Sequence, residues 1–166
     1  MIVYCIKRRK NAVDFYSKRM YTNIVNKRKR CLRMRITHEA DYAIRVAFCL
    51  AECGGKLGAK EISERTGVTL RFALKILRKL IQAEMVRSYK GANGGYELAK
   101  EPAEISMGAI IECIDGPITI NHCLCNEFEC TRVQSKSICN FRKVFGSVNT
   151  MIRDELYRVT LDQFLH

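Results

Sequence analysis

The most regular pattern of apolar and polar residues along the chain begins directly after Thr37. Apolar residues then recur every three or four positions, the spacing of one helix face, at Ala40, Ala43, Ile44, Ala47, Leu50 and Ala51. Threonine is a favourable N-cap, and a glycine pair at positions 54 and 55 ends the pattern. The pattern predicts a helix that begins after Thr37 and ends at Gly54.

Two shorter helical patterns follow. The first runs from Ala59 to Arg65 and is closed by Gly67, and the second begins after Thr69 and continues to about Ala83. The inner face of the second helix is apolar and consists of Leu70, Leu74, Leu77, Leu80 and Ile81. Two short helices joined through a glycine-containing turn predict a helix-turn-helix.

Two strand-like runs come next, at residues 86–90 and 96–99. Between them lies the sequence Gly91-Ala92-Asn93-Gly94-Gly95, in which Asn and Gly readily adopt positive φ values. These runs predict a β-hairpin. A hairpin that directly follows a helix-turn-helix is typical of a wing.

The C-terminal part of the chain predicts two further helices. Residues 106–114 favour a linking helix, and a later apolar seam with alternating steps of three and four residues favours a long one: Phe141, Val144, Phe145, Val148, Met151, Ile152, Leu156 and Val159. Such a seam is typical of helices that pair, and packing on the chain's own winged domain is the alternative. Thr160 and Gln163 match a capping box for a short closing helix.

The predicted fold is mainly α with a small β-hairpin: a winged helix-turn-helix domain plus a long C-terminal dimerisation helix. We expect a basic N-terminal extension at residues 1–33, the winged helix-turn-helix domain at 34–104, a linking helix and cysteine-rich sensor loop at 105–140, and the dimerisation helix with the C-terminal end at 141–166.

Charge is distributed unevenly along the 166 residues, whose net charge is +12. Residues 1–33 contain eleven basic residues against one acidic residue, a net charge of +10, whereas residues 34–166 contain 18 basic and 16 acidic ones, a net charge of +2. The first segment lacks a hydrophobic period and a secretory cleavage pattern. We interpret it as sequence upstream of a true start at Met34, with a phosphate-gripping basic arm as the alternative.

Basic residues nevertheless concentrate in the third helix and the hairpin. Six of them lie in the third helix, the first hairpin strand and the turn, against one acidic residue, and a helix N-terminus adds unpaired N–H groups that favour phosphate. The candidate DNA-binding residues are Thr37, Thr69, Arg71, Phe72, Lys75, Lys90, Gly91, Asn93 and Gly94. Two roles are open for the Phe72 side chain: it can contact a thymine methyl, or it can pack beneath its helix. The expected partner is double-stranded DNA.

Other functional classes have less support in the sequence. An enzyme needs a convergent set of acid, base or nucleophile, and three histidines without a phosphate-cradling glycine motif predict none. A protein-interaction module without DNA binding is the alternative class, although it would not require a basic third helix. No apolar run approaches the roughly 18–20 residues of a membrane span. We therefore expect a soluble, cytoplasmic protein.

Four of the nine cysteines lie close together, between residues 123 and 139, and the other five are scattered. An odd number of cysteines without an export signal argues against a disulfide scaffold. For Cys49, Cys53 and Cys113 we expect core packing, because a free cysteine behaves as a small apolar residue. The four clustered cysteines mark this segment as the candidate site of cysteine chemistry.

Several motifs, taken in order, resemble the Rrf2 family of bacterial winged-helix regulators. They are the segments 34–37, 41–45, 61–68 and 90–99, which read MRIT, DYAIR, EISERTGV and KGANGGYELA. The resemblance extends from residue 34 to about residue 162 and does not reach residues 1–33. It implies a homodimeric transcriptional regulator whose long C-terminal helix crosses to the partner subunit.

The resemblance also implies a sensor. Cluster-binding members of the family hold an iron–sulfur cluster through three cysteines of this loop, and Cys123, Cys130 and Cys139 are similar in placement. Asp41 matches an acidic residue that some members supply from the partner subunit as the fourth ligand, and Cys125 is the second candidate. Arg142 stands where other members have a histidine ligand.

Two alternatives of the same fold need no iron–sulfur cluster. A thiol–disulfide switch among the four clustered cysteines requires no metal. A zinc-responsive regulator is the other, although intervals of one and eight residues between cysteines do not resemble paired structural zinc spacings.

Overall fold

The computed structural model describes residues 36–91, 93–125, 130–132 and 136–165. The predictions made for residues 1–33 therefore lie outside the described residues, as does Ala92 of the hairpin turn. Within the described part, no helix is both long enough and apolar enough to cross a membrane.

The first three helices are α1 (His38–Cys53), α2 (Ala59–Thr66) and α3 (Leu70–Gln82). Their ends follow the local signals: the Thr37 side chain accepts a hydrogen bond from the Ala40 N–H, and Gly54 and Gly67 adopt φ values of 62° and 68°. Thr69 occupies the N-cap of α3, but its side chain makes no capping hydrogen bond. Its carbonyl accepts from the first turn instead.

The wing consists of β1 (Val86–Tyr89) and β2 (Gly95–Leu98), which pair antiparallel. Leu57, in the connection between α1 and α2, exchanges two backbone hydrogen bonds of 2.9 Å with Tyr96 of β2. A Cβ at Gly95 would lie 2.8 Å from the Leu57 carbonyl oxygen. A glycine is therefore required where the wing meets the helical part.

Among the described residues, one apolar core joins α1, α2, α3 and α4 (Met107–Asp115). The fully buried large side chains include Leu50, Ile62, Ile76, Leu77, Leu80 and Ile110. Ser106 caps α4 and accepts from the Ala109 N–H at 3.2 Å, so the predicted linking helix is confirmed with a shift of one residue.

The long helix α5 (Asn140–Arg158) has no buried residue. Its end is fastened to the start of α4, because the Met107 N–H donates to the Val159 carbonyl and the Leu161 N–H donates to the Ile105 carbonyl. A short 3-10 helix, Leu161–Phe164, closes the chain. The predicted capping box is wrong, since Gln163 donates to the Thr160 side chain and Thr160 makes no capping hydrogen bond.

Candidate DNA-binding surface and cysteine segment

The helix α3 presents a basic stripe opposite its buried face. Ala73, Ile76, Leu77 and Leu80 are buried, which leaves Arg71, Lys75, Arg78 and Gln82 exposed along the other side. Arg71 and Arg78 form no ion pair with the described residues, so both guanidinium groups are available to a polyanion.

Lys75 and Lys79 of α3, by contrast, share one carboxylate. Glu39 in the first turn of α1 has its Oε2 at 2.8 Å from Lys75 Nζ and its Oε1 at 2.7 Å from Lys79 Nζ. Hydrogen bonds from Lys75, and then from Lys79, lower the pKa of Glu39. Lys79 also donates to the Ile114 carbonyl at 3.3 Å. These contacts connect α1, α3 and the end of α4.

The Phe72 side chain, in the first turn of α3, is half-buried. Its ring meets the Tyr42 ring edge to face, with centroids 5.7 Å apart. Of the two alternatives for Phe72, the structure shows the packing contact. Lys75 Nζ lies 5.3 Å from the centroid of the same ring.

Thr37 and Thr69 occupy the N-caps of α1 and α3. Both are exposed, but Thr37 is already engaged: its hydroxyl donates to Asp115 Oδ1 at 2.6 Å and its N–H donates to Oδ2 at 3.2 Å. Asp115 is the last residue of α4. The start of α1 is thereby tied to the point where the chain leaves for the cysteine segment.

The tip of the wing is open to solvent. Lys90, Gly91 and Asn93 are exposed, Gly91 has a φ value of 98°, and a Cβ at Gly94 would lie 2.5 Å from the Tyr89 carbonyl oxygen. The turn therefore needs glycine at both positions. The basic group of Lys90 stands beside a backbone that a phosphate can approach closely.

The cysteine segment, residues 116–139, is described at all four of its cysteines. Cys123, Cys125, Cys130 and Cys139 are all partly exposed. Cys123 lies in a 3-10 turn, where its N–H donates to Asn121 Oδ1, and Cys139 immediately precedes α5. In the part of the chain that the structure describes, no three His, Cys, Asp or Glu side chains converge to hold a metal ion.

Asp41, the other predicted ligand, lies on α1 and pairs with Arg45 at 2.9 Å. The side chains of the two residues are 44% and 55% exposed, so solvent screens this pair. The carboxylate faces outward from the chain to which it belongs.

Polar contacts fasten the segment that leads to the cysteines. The Asn149 side chain of α5 accepts from the Ile120 N–H at 2.9 Å and donates to the Ile118 carbonyl at 3.0 Å. Glu112 of α4 accepts from Arg153 at 2.9 Å and from the Tyr157 hydroxyl at 2.6 Å. The Arg153 guanidinium is the main cause that lowers the pKa of Glu112 to about 2.

The other side of α5 is apolar and exposed. We call it the exposed apolar face of α5; it consists of Phe141, Val144, Val148 and Met151, whose exposed fractions are 58%, 63%, 40% and 68%. The remaining apolar residues of the predicted seam, including Phe145 and Ile152, are half-buried. The seam is thus divided between the chain itself and solvent.

The sequence analysis missed three residues that organise this region, namely Glu39, Glu112 and Asn149. Each makes its contacts with residues about 30 to 45 positions away. A hydrophobic period carries no signal of such distant polar pairs, and no other feature of the sequence marks them.

The family model described as "Rrf2: Iron-dependent Transcriptional regulator" matches residues 36–166. The chain belongs to the Rrf2 family. A relative in Rhodobacter capsulatus, named as an rrf2-like HTH-type transcriptional regulator, is 34% identical over 120 residues, which cover 68% of this chain and 80% of the relative. The HTH-type transcriptional regulator IscR of Pectobacterium atrosepticum is 28% identical over 135 residues, 80% of each chain.

Solved structures of the family share the fold of this Rrf2 regulator. T. potens IscR aligns with a TM-score of 0.61 and 26% identity, covering 78% of this chain and 85% of that one. CymR, the global cysteine regulator of B. subtilis, aligns with a TM-score of 0.64 and 23% identity over 78% and 95%. The predicted winged helix-turn-helix fold is confirmed. The chain is a DNA-binding transcriptional regulator and not an enzyme.

Proposed function

We propose that this Rrf2 regulator is a cytoplasmic homodimer whose operator binding is controlled by an iron–sulfur cluster held by Cys123, Cys130 and Cys139. The observation that carries the proposal is the set of four partly exposed cysteines in one segment between α4 and α5. Thiolates are the donors that iron–sulfur clusters use. The family description as iron-dependent and the IscR relatives add support.

These residues fit a cluster by the chemistry of their donor atoms. A bound cluster would supply redox and nitric-oxide sensitivity, and the chain's own residues would supply its ligands. The fourth ligand that we propose is Asp41 of α1, contributed by the partner subunit, ahead of Cys125. Releasing Asp41 from Arg45 costs little, because an exposed ion pair contributes roughly 0–1 kcal/mol. A carboxylate is a harder ligand than a thiolate, so that corner would be the labile one.

Anaerobic purification with iron and sulfide supplied, followed by an absorption spectrum and iron and sulfide analysis, tests the cluster. Serine at position 123, 130 or 139 should abolish the absorbance, whereas Asp41→Ala should alter the spectrum or its lability without abolishing it. Cys53→Ser is the matched control: the core packing expected for Cys53 is wrong, since it is an exposed thiol at the end of α1, and it is far from the cysteine segment in sequence. A wild-type protein that binds neither iron nor sulfide would refute the cluster.

A thiol–disulfide switch is the second candidate. It is favoured by one observation, that the four cysteines are partly exposed while no three metal-binding side chains converge among the described residues. Oxidation of two thiolates to a disulfide by a cellular disulfide oxidant would then replace cluster loss as the signal. Thiol titration and intact mass before and after oxidation distinguish it from the cluster, and zinc analysis of the same sample covers a zinc-responsive regulator.

For DNA recognition we propose that α3 enters the major groove and the wing contacts the neighbouring phosphates. Arg71 would approach base edges directly and Lys75 would do so on leaving Glu39, with Thr69 at the helix N-terminus, Thr37 at the start of α1 and the half-buried Phe72 as their supports. Lys90 would contact phosphate, beside the close-approaching backbone of Gly91, Asn93 and Gly94. The exposed guanidinium of Arg71 and the open tip of the wing support this arrangement.

A pair of variants separates base contacts from phosphate contacts. Lys90→Ala should weaken binding to every duplex and reduce the salt slope by about one phosphate contact, while Arg71→Ala should cost about 1–3 kcal/mol more on the selected operator than on random DNA. Selection from a random duplex library supplies the operator. Neutral behaviour of both variants would refute this surface.

We propose that dimerisation uses the exposed apolar face of α5. Four large apolar side chains that remain 40–68% exposed on one helix face are typical of an interaction surface. Val144→Glu should convert the protein to a monomer in sedimentation experiments. Thr150→Glu, on the polar side of the same helix, is the control that should remain dimeric. A monomeric wild type would refute the interface.

We also propose that the working regulator comprises the domains at 34–104, 105–140 and 141–166, with residues 1–33 as an extension. The family match begins at residue 36, which supports this division. A chain that begins at Met34 should fold, dimerise and select the same operator, although its loss of ten positive charges weakens binding to random DNA. Loss of sequence preference in that shorter chain would refute the division.

A further inference from the structure

The four basic side chains of α3 are held in two different ways. Arg71 and Arg78 are exposed and form no ion pair with the described residues, whereas Lys75 and Lys79, one helical turn apart, are bridged by the single carboxylate of Glu39. The Glu39 side chain is only 20% exposed, and it is fixed by its position in the first turn of α1. The bridge is therefore part of the junction between α1 and α3.

The two lysines are turned toward that junction. Lys79 is 33% exposed, forms an ion pair with Glu39 and donates a hydrogen bond to the Ile114 carbonyl. Lys75 has its ammonium group between Glu39 and the face of Phe72, with 54% of its side chain exposed. Both ammonium groups have polar partners inside the protein that a DNA phosphate would have to replace.

We propose that Glu39 is a positioning residue that withholds Lys75 and Lys79 from DNA phosphates and thereby limits sequence-independent binding. Lysine contacts phosphate as a mobile point charge, and arginine forms the planar bidentate bonds that identify guanine. Because Glu39 holds the two lysines and leaves Arg71 exposed, base-specific contacts make up a larger share of the contacts between α3 and DNA. This inference rests on the proposal that α3 is the DNA-reading helix.

The test uses the full chain and a fluorescein-labelled 30-base-pair duplex of mixed sequence, with affinity measured by anisotropy between about 50 and 200 mM salt. Glu39→Gln preserves the shape of the side chain and removes its charge. It should bind the duplex about two- to tenfold more tightly, and the slope of log affinity against log salt should become steeper by about 0.9 for each lysine that reaches a phosphate. A merely structural role of Glu39 would not steepen the salt slope.

A second background excludes direct repulsion between Glu39 and DNA. In a chain that carries Lys75→Gln and Lys79→Gln, adding Glu39→Gln should change neither the affinity nor the salt slope, because no lysine is left to release. Glu52→Gln removes the same charge from the exposed far end of α1 and should leave the slope unchanged. Circular dichroism verifies that each variant is folded.

Two results would overturn the inference. An equal gain in both backgrounds would show through-space repulsion, and an unchanged slope in Glu39→Gln would show that the lysines are not withheld. Glu39→Asp, with a shorter side chain that retains the charge, provides a second measurement and should fall between wild type and Glu39→Gln in slope. If Arg71→Ala also leaves affinity unchanged, the DNA-reading role of α3 fails; if Arg71→Ala weakens binding, only the inference about Glu39 fails.

Discussion

The Glu112 cluster between α4 and α5 should make the stability of the protein depend on pH in a defined way. The Glu112 carboxylate accepts hydrogen bonds from Arg153, Tyr157 and the Ile118 N–H. These partners lower the pKa of Glu112 from 4.5 to about 2, with Arg153 as the largest cause. Replacing the carboxylate by the neutral amide, Glu112→Gln, removes the charge that the cluster is built to hold.

The magnitude follows from the pKa difference. A pKa that falls from 4.5 to about 2 on folding corresponds to roughly 3.4 kcal/mol of unfolding free energy if it is fully expressed. The Glu112 side chain is 21% exposed but Arg153 is 48% exposed, so solvent screening reduces this value. We expect Glu112→Gln to lower the free energy of unfolding by about 1–2 kcal/mol at pH 7.

The sign of the pH dependence is fixed by the direction of the shift. A carboxylate with a lowered pKa in the folded state stabilises the protein fully above its unfolded pKa, and this contribution is lost as the pH falls toward the folded pKa. The difference between wild type and Glu112→Gln should therefore be complete above about pH 5 and shrink toward pH 2. Other carboxylates titrate in both proteins and cancel in the difference.

Urea unfolding followed by circular dichroism, at one protein concentration and at pH 7, 5 and 3.5, measures this difference in metal-free, reduced protein. Glu155→Gln is the control, because Glu155 forms an exposed pair with Arg158 on the same helix and should change stability by less than about 0.5 kcal/mol. A stability difference for Glu112→Gln that is equal at all three pH values would refute the reasoning.

Two further substitutions test the contacts around α4. Gly108→Ala should destabilise the protein by about 1–3 kcal/mol in urea unfolding, because the added Cβ would overlap the Tyr157 ring. Replacing a helical glycine by alanine usually stabilises a protein by about 0.5–1 kcal/mol, so a gain in stability would contradict that contact. Asp115→Ala removes the acceptor of both Thr37 hydrogen bonds and should lower Tm by a few degrees in scanning fluorimetry, with Asp115→Asn losing less; an unchanged Tm would show that these bonds contribute nothing.

The helices and the wing could be predicted because their signals are local. Thr37, Gly54 and Gly67 act through the backbone of their own turn. The apolar period of α3 correctly places Leu77 and Leu80 on its buried face, although Leu70 of the predicted inner face is exposed. A local signal does not determine the conformation where a tertiary contact competes with it. Thr160 and Gln163 have capping-box spacing, yet the backbone bridge between Ser106 and Thr160 joins the chain to α4.

The candidate site was predicted less completely than the fold. Residue type and spacing identify Lys75 as a basic residue on the outer side of α3, but they carry no information about Glu39, which lies 36 positions earlier and binds it. The same limit applies to the cysteines. Their order along the chain predicts a segment rich in thiols, whereas convergence on a common point depends on the path of the chain and on any second subunit.

The attachments of α5 divide the helix into two mechanically different halves. Asn149, Arg153 and Tyr157 fix the C-terminal half to α4 and its loop, whereas Gly146 of the N-terminal half faces Leu124 of the cysteine segment at 3.9 Å from a Cβ placed there. The nine residues before Asn149 form a helical segment about 14 Å long. A rotation of this segment by about 20° about Asn149 would move its N-terminal end by about 5 Å. In a dimer joined through this segment of each subunit, that movement would change the distance between the two α3 helices relative to the roughly 34 Å repeat of DNA.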